Sequence, residues 1–420
     1  MMQRLPVDRP NDLCRDTLAI VLAGGNGTRL RDLTRDHSKP ALPFGGQYRN
    51  IDFPLSNCLN SGIRRIGLLT QYKAHSLIQH VHQGWNILRP ELGEFIEVWP
   101  AQQRTGQSWY AGTADAVYQN LDIVEAHEPG LVLILAGDHI SQMDYRPMLE
   151  SHVRSGASAT VACIEVPVAE ASGFGVIGVD HQKRIVDFAE KPARPKHMPG
   201  RPGIALASMG IYLFDRRHLI DCLEADAADS ASRHDFGHDV IPSLIGRSPV
   251  HAYDFRDPMT GRPAYWRDVG TVESYWRANL ELLDPESGID LGRPDWPIRT
   301  NQLHCAPARL VGDGRASRSI LSAGCRIAGV VNRTVVFPEA EVGSGSVVEN
   351  SLLLPGARIG RNCVIRNAIV DSGHSVADET QIGTQPADDA RRFHVTGSGI
   401  ILVTASAETN AVQIERLRVA

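Results

Sequence analysis

The chain has 420 residues, of which 42% are apolar and 22% charged, and its formal net charge is −5. That length exceeds what one core of ordinary size fills, so two domains are expected, and the composition excludes a disordered chain. The negative balance argues against a surface that neutralises a nucleic-acid backbone, and the longest clean apolar run, Leu131–Ala136, is far short of a membrane span.

Seven cysteines, an odd number without a Cys-x-x-Cys pair, read as reduced thiols of a cytoplasmic protein. Residues 1–16, broken by Pro6 and Pro10, hold no signal-peptide stretch and are expected to form an N-terminal tail. From 17 to 284 two periods alternate. Short apolar runs at Leu18–Leu22, Ile63–Thr70, Leu131–Ala136, Ala159–Val166 and Ile211–Phe214 predict buried strands. Ala74, Leu77, Ile78 and Val81 predict a helix, and Val117, Leu121 and Val124 repeat its spacing. Such alternation implies a mixed or parallel sheet with helices on both faces and a ligand site beyond the carboxyl ends of the strands.

Residues 285–316 lose the helical face. Pro285, Pro294, Pro297 and Pro307 punctuate them, and the segment reads as a linker. From Ser317 aliphatic residues recur every six positions: Val336, Val342, Val348 and Leu354; Leu353, Ile359 and Ile365; Val370, Val376 and Ile382. Short strands that cannot bury their own apolar residue can do so by stacking, so residues 317–420 are expected to form a hexapeptide β-helix. An antiparallel β-domain with regularly spaced turns is the alternative.

The run Leu18–Leu22 leads into Ala23-Gly24-Gly25-Asn26-Gly27-Thr28-Arg29. Glycines permit positive φ and let backbone N–H groups approach a phosphate, although a tight strand-to-helix connection would use the same residues. The turn fits neither the dinucleotide nor the Walker pattern. Arg29 and Lys39 follow soon after, and Lys39-Pro40 places the lysine in an extended stretch. Two cations converging on such a turn would offset triphosphate charge. Asp138, just past Leu131–Ala136, should sit at a strand's carboxyl end.

Leu22-Ala-Gly-Gly-x-Gly-Thr-Arg-Leu30 with Lys39-Pro40 resembles the signature of sugar-nucleotide pyrophosphorylases. Further segments resemble one branch, the glucose-1-phosphate adenylyltransferases of bacterial glycogen synthesis: Ile51-Asp-Phe-Pro-Leu-Ser-Asn57, Gln71-Tyr-Lys-Ala-His-Ser76, Trp109-Tyr-Ala-Gly-Thr-Ala-Asp-Ala116, Leu135-Ala-Gly-Asp-His139, Glu190-Lys-Pro192, Ala207-Ser-Met-Gly-Ile-Tyr212 and Tyr265-Trp-Arg-Asp-Val-Gly-Thr271. The resemblance implies a Rossmann-like α/β domain with a mixed sheet, followed by a left-handed parallel β-helix. It also implies adenylyl transfer from ATP to glucose 1-phosphate in a cytoplasmic homotetramer that responds to small phosphorylated effectors.

The same resemblance assigns catalysis to Arg29, Lys39 and Asp138, and Mg²⁺ to Asp138 with Asp268. Glucose 1-phosphate falls to Tyr110, Gly175, Glu190, Lys191 and Ser208. The nucleotide falls to Leu22, Ala23, Gly24, Gly25, Gln102, Gly112 and Thr113. Thr113 also stands where a helix N-cap would. The family's effector region departs here, with Asp36 and His37 where a basic stretch is usual and Pro43 before Phe44; Arg49, Arg391 and Arg392 remain as phosphate partners. His234 and His238 have a metal-like spacing, yet Gly237 favours a loop, and His75, His80 and His82 read as surface or satisfied core groups. Three other functions stay open. One is transfer from UTP, GTP or dTTP, another a catalytically silent regulatory subunit, and the third a β-helical acyltransferase, for which His374 is the nearest histidine.

Overall fold

The structure, a computed structural model, describes residues 10–25, 27–102 and 109–404. Asn26 of the glycine turn, residues 1–9 of the expected tail and residues 405–420 of the last domain lie outside the described residues. Residues Pro10–Arg15 form a short helix that buries Cys14, so this part of the expected tail is packed.

The first sheet contains β1 (Thr17–Ala23), β2 (Arg65–Thr70), β3 (Phe95–Pro100) and β4 (Leu131–Ala136). After β4 comes β5 (His139–Ser141), which lies outside the sheet, and then β6 (Ala159–Pro167), β7 (Gly175–Val179), β8 (Ile185–Glu190), β9 (Ile204–Asp215) and β10 (Val250–Asp254). The order runs β8-β7-β9-β4-β1-β2-β3, with β6 paired to β9 and β10. Strands β4, β1, β2 and β3 are mutually parallel, whereas β9 runs antiparallel to β4, giving the expected mixed sheet. Leu18, Ile20, Val132 and Ile134 face one core and Ala19, Val21, Leu133 and Leu135 the other. Central parallel strands covered on both faces read as unbroken apolar runs for this reason.

Two helical expectations need correction. Val117, Leu121 and Val124 do not share one helix: Thr113–Tyr118 and Leu121–Ala126 are separate, broken at Gln119–Asn120. Asn120 explains the break, because its Nδ2 donates to the Ala116 carbonyl (2.9 Å) and to the Tyr110 hydroxyl (2.9 Å), and its backbone leaves the helical region. Lys39 is not extended either. Ser38 is, at φ −72 and ψ 152, and Lys39 opens a single 3₁₀ turn, Lys39–Ala41, with Pro40 in its first turn.

The segment read as a linker, 285–316, is partly a strap. Trp296 Nε1 donates to Asn57 Oδ1 (2.9 Å), the Arg299 N–H to Ser56 Oγ (2.8 Å), and Ile289 and Ile298 are buried. Stacked strands begin at Arg309–Leu310, within that segment rather than after Ser317. Gly312, Gly314 and the exposed strands Arg309–Leu310 and Arg315–Ser317 obscured the first coil, whose partly buried residues come only at Ile320–Leu321.

Three sheets form the stack, parallel throughout except for the closing pair of His394–Val395 with Ile401–Val403. Val331, Val348, Ile365 and Ile382 pile up in one of them, and Val336, Leu353, Val370 and Val403 in another. The six-residue spacing is the step from one face to the next; two such steps and one of five, as in Val336–Val342–Val348–Leu353, complete a coil of 17 residues. The stack is seated on the sheet domain. Leu30, Leu33, Phe44 and Tyr275 share a core with Val335, Phe337, Leu352, Ile400 and Leu402. Two polar ties join them, Thr404 Oγ1 to Asp32 Oδ2 (2.9 Å) and Trp276 Nε1 to the Asn350 carbonyl (2.8 Å). Among the described residues no helix is long and apolar enough to cross a membrane.

Candidate functional site

β1 ends at Ala23 and β4 at Ala136, side by side, and the Gly137 N–H donates to the Leu22 carbonyl (2.9 Å). Asp138 is thereby delivered to the carboxyl edge next to the glycine turn. A second device brings in the other carboxylate. β5 pairs antiparallel with β11 (Trp266–Asp268), and His139 lies opposite Asp268.

Lys39 sits between them. Its Nζ is 2.6 Å from Asp138 Oδ2 and 2.8 Å from Asp268 Oδ1, and the residue is 8% exposed. Its main chain is fixed as well, since buried Asn50 donates to the Lys39 carbonyl (2.9 Å). Burial works against the ammonium, but the two carboxylates outweigh it and raise the Lys39 pKa above its ordinary value. Burial likewise opposes ionisation of Asp268, yet Lys39 dominates and the Asp268 carboxyl falls to about 2. Lys39 and Asp268 are therefore charged at neutral pH.

Arg29 reaches the same point. A Cβ built on Gly270 would stand 2.9 Å from Arg29 Nη2, 2.9 Å from Asp268 Oδ1 and 3.0 Å from Lys39 Nζ. Sequence reasoning quoted Gly270 within its motif but gave it no role. The only signal for it was a glycine two residues past Asp268, and the need for it appears once the chain is folded.

A second group of residues gathers where β7, β8 and β9 meet. A register shift in β9 between Ser208 and Tyr212, with Gly210 at φ +64, turns Ser208, whose Oγ accepts the Gly210 N–H (3.2 Å). Glu190, the last residue of β8, pairs with Lys191 (Nζ–Oε1 2.7 Å), and the Lys191 side chain is 58% exposed at φ 45. Gly175 and Gly237 leave room for Glu190, since a Cβ on either would come within 2.8 and 2.9 Å of its Oε2.

Among the described residues of the glycine turn only Gly27 has positive φ (+60); Gly24 lies against Gln71, and Gly25 faces open space. Gln102 follows β3 on the surface. Thr113 is not an N-cap: Gly112 holds that position, and Thr113 is the first helical residue. Its Oγ1 donates to Asp235 Oδ2 (2.9 Å) and accepts the Phe236 N–H (3.0 Å). The close approach of Gly112 to the His234 carbonyl leaves no space for a side chain. Asp235 was passed over because the flanking histidines drew attention as metal ligands. They pair instead with Asp226 and Asp239, and the described residues contain no group of three or more His, Cys, Asp or Glu that could hold a metal ion. His80 is a satisfied core group, its Nε2 2.6 Å from buried Asp52 Oδ1.

Tyr110 accepts from Asn120 and flanks the same helix start. The three arginines expected at an effector site are engaged separately. Arg49 donates to the Ala41 carbonyl (2.8 Å), while Arg391 and Arg392 both pair with Asp388 on the helix Pro386–Arg392.

The family model described as nucleotidyl transferase matches residues 18–285, and the one described as GlmU-like, C-terminal hexapeptide matches 306–403. The chain is 55% identical to glucose-1-phosphate adenylyltransferase 2 of Alkalilimnicola ehrlichii over 398 residues, 93% of this chain and 94% of that one. Against glucose-1-phosphate adenylyltransferase of Thiobacillus denitrificans identity is 53%, covering 94% of this chain and 91% of the relative. Against that of Rhodospirillum rubrum it is 51%, covering 94% and 96%. With its mixed sheet, its stacked hexapeptide coils and the charged cluster at the carboxyl edge of β1 and β4, the chain belongs to the nucleotidyl transferase family, within its glucose-1-phosphate adenylyltransferase branch.

Proposed function

We propose that the chain transfers the adenylyl group of ATP to glucose 1-phosphate, releasing pyrophosphate and ADP-glucose, as a cytoplasmic enzyme. The observation that carries this reading is the convergence of Arg29, Lys39, Asp138 and Asp268 beside the glycine turn. A phosphate oxygen of glucose 1-phosphate attacks the α-phosphorus, and the bond to the bridging oxygen of pyrophosphate breaks. No side-chain nucleophile is needed, because the attacking oxyanion belongs to the substrate. Arg29 and Lys39 hold positive charge where phosphate charge accumulates, and burial strengthens that interaction.

Asp138 and Asp268 are the residues that would hold Mg²⁺. Two carboxylates, with no group of three or more His, Cys, Asp or Glu among the described residues, fit an ion that takes one or two carboxylates and completes its shell with substrate phosphates and water. Bound there, the ion supplies charge neutralisation at the transferring phosphoryl group. In this reading Lys191 meets the phosphate of the sugar, which its exposure beside Glu190 supports, and Ser208 and Tyr110 bind the sugar.

The test is pyrophosphate release from ATP, UTP, GTP and dTTP, each with glucose 1-phosphate. Release with ATP in strong preference supports the reading, and comparable turnover with UTP overturns the nucleotide assignment.

A further inference from the structure

β5 and β11 form a two-stranded ribbon, separate from the main sheet, that carries both carboxylates of the charged cluster. Asp138 directly precedes β5, and Asp268 ends β11 opposite His139. A short two-stranded ribbon is marginally stable by itself, so contacts from outside must fix where its ends stand. Buried Ile140 and Trp266 pack it against two cores. Apolar packing is non-directional, however, and does little to stop the ribbon sliding along its length. Hydrogen bonds, which depend steeply on distance and angle, can stop it.

Asn57 supplies them. It lies on the helix Asp52–Asn60, 1% exposed, and its amide binds the chain where β5 ends. Its Nδ2 donates to the Ser141 carbonyl (3.0 Å), and its Oδ1 accepts the Met143 N–H (3.2 Å). The same Oδ1 accepts Trp296 Nε1 (2.9 Å), from the strap that runs on to the stack of coils. Gln142, between those two residues, grips the strap in turn. Its Nε2 donates to the Asp290 carbonyl (2.8 Å), and its Oε1 accepts the Asp290 N–H (3.4 Å). The strap is also tied to the helix, where Asn60 Nδ2 donates to the Pro297 carbonyl (3.0 Å). Helix, ribbon end and strap are thus locked into one hydrogen-bonded unit, a few residues along the chain from Asp138.

We propose that Asn57, Gln142 and Trp296 are positioning residues for the metal ion, holding the end of β5 so that Asp138 and Asp268 stand where Mg²⁺ requires them. This inference rests on the adenylyl-transfer reading and on its assignment of the ion to those two carboxylates. Mg²⁺ demands near-ideal octahedral geometry at about 2.0–2.1 Å, so a small displacement of Asp138 weakens its hold. The three residues act through the main chain of β5 and not by contact with the reacting groups. Lys191 follows β8, on a separate segment, so releasing the grip spares the sugar phosphate.

Two measurements on the full chain test this. One is the dissociation constant for MnCl2 alone, read from the electron paramagnetic resonance of free Mn²⁺. The other is the free Mg²⁺ concentration that half-saturates pyrophosphate release from ATP and glucose 1-phosphate. Residues that touch a metal ligand directly are worth about 10–100-fold in affinity, and these act one step further out. Gln142→Ala and Trp296→Phe should therefore each raise both values roughly threefold, and Asn57→Ser roughly tenfold. KM for glucose 1-phosphate should move by less than about twofold, because uniform substrate binding is untouched. Trp296→Phe keeps a ring in place and removes the Nε1 donor, so it and Gln142→Ala decide the matter if Asn57→Ser does not fold. Unchanged metal values in both overturn the proposal, as does an equal rise in KM for glucose 1-phosphate. A lowered melting temperature with metal affinity intact also overturns it, since that is what a purely structural tie would give. If the unsubstituted chain releases pyrophosphate from no nucleoside triphosphate, adenylyl transfer fails instead, and the Mn²⁺ constant still reports on the grip.

Discussion

Replacing Gly270 by alanine tests the proposed catalytic cluster where its charged groups converge. The backbone there lies outside the left-handed region, so alanine is tolerated, and such a change by itself is neutral or stabilising by about 0.4–1 kcal/mol. The new methyl would stand 2.9–3.0 Å from Arg29 Nη2, Asp268 Oδ1 and Lys39 Nζ. Comfortable contacts lie at about 3.5–4.0 Å, so the groups must retreat by roughly 0.5–1 Å. Arg29 is exposed and can swing away, whereas Lys39 is buried between two carboxylates and cannot move without loosening one of them. Misplacement on the order of 1 Å costs about 100-fold in rate, or about 2.7 kcal/mol of barrier. The assay is kcat for pyrophosphate release from ATP and glucose 1-phosphate, alongside a circular-dichroism melt. A kcat within threefold of the unsubstituted chain, with an unchanged melt, would refute the idea that these three groups must meet at one point.

Other outcomes follow from the same geometry. Asp138→Asn keeps the shape but removes a charge from Lys39, and kcat should fall by about 10³-fold with the melting temperature nearly unchanged; near-normal turnover would sink the metal-binding role. Lys191→Ala should raise KM for glucose 1-phosphate about tenfold and leave KM for ATP alone, whereas an equal effect on both would contradict its placement. Ile365→Ala empties a buried position stacked between Val348 and Ile382, and should destabilise the chain by about 2–5 kcal/mol in urea unfolding. A loss under 0.5 kcal/mol there would mean that the coils do not share a continuous core.

Much of this fold is legible because its signals are local. The unbroken run Leu131–Ala136 is a strand with the bounds its hydrophobicity implies, since a central parallel strand must be apolar on both faces. The six-residue rhythm from Val336 to Ile382 reports the coils directly, because each coil repeats the same burial. Where local signals compete, sequence reading fails. The spacing Val117–Leu121–Val124 is helical, but the Asn120 side chain takes the Ala116 carbonyl and ends the helix. Thr113 is an acceptable cap by type, yet Asp235, 122 residues away, claims its hydroxyl.

The sequence determined which chemistry the chain carries: the turn, its two cations and its carboxylates are all visible as residue types in order. Which of them meet was decided only by tertiary structure. Lys39 and Asp268 are 229 residues apart and touch because β5 pairs with β11, a contact that no local preference specifies. Gly270 matters only because three charged groups arrive over it. Periodicity and turn chemistry act over a few residues, whereas a site is a meeting of distant segments whose position the packed core alone can fix.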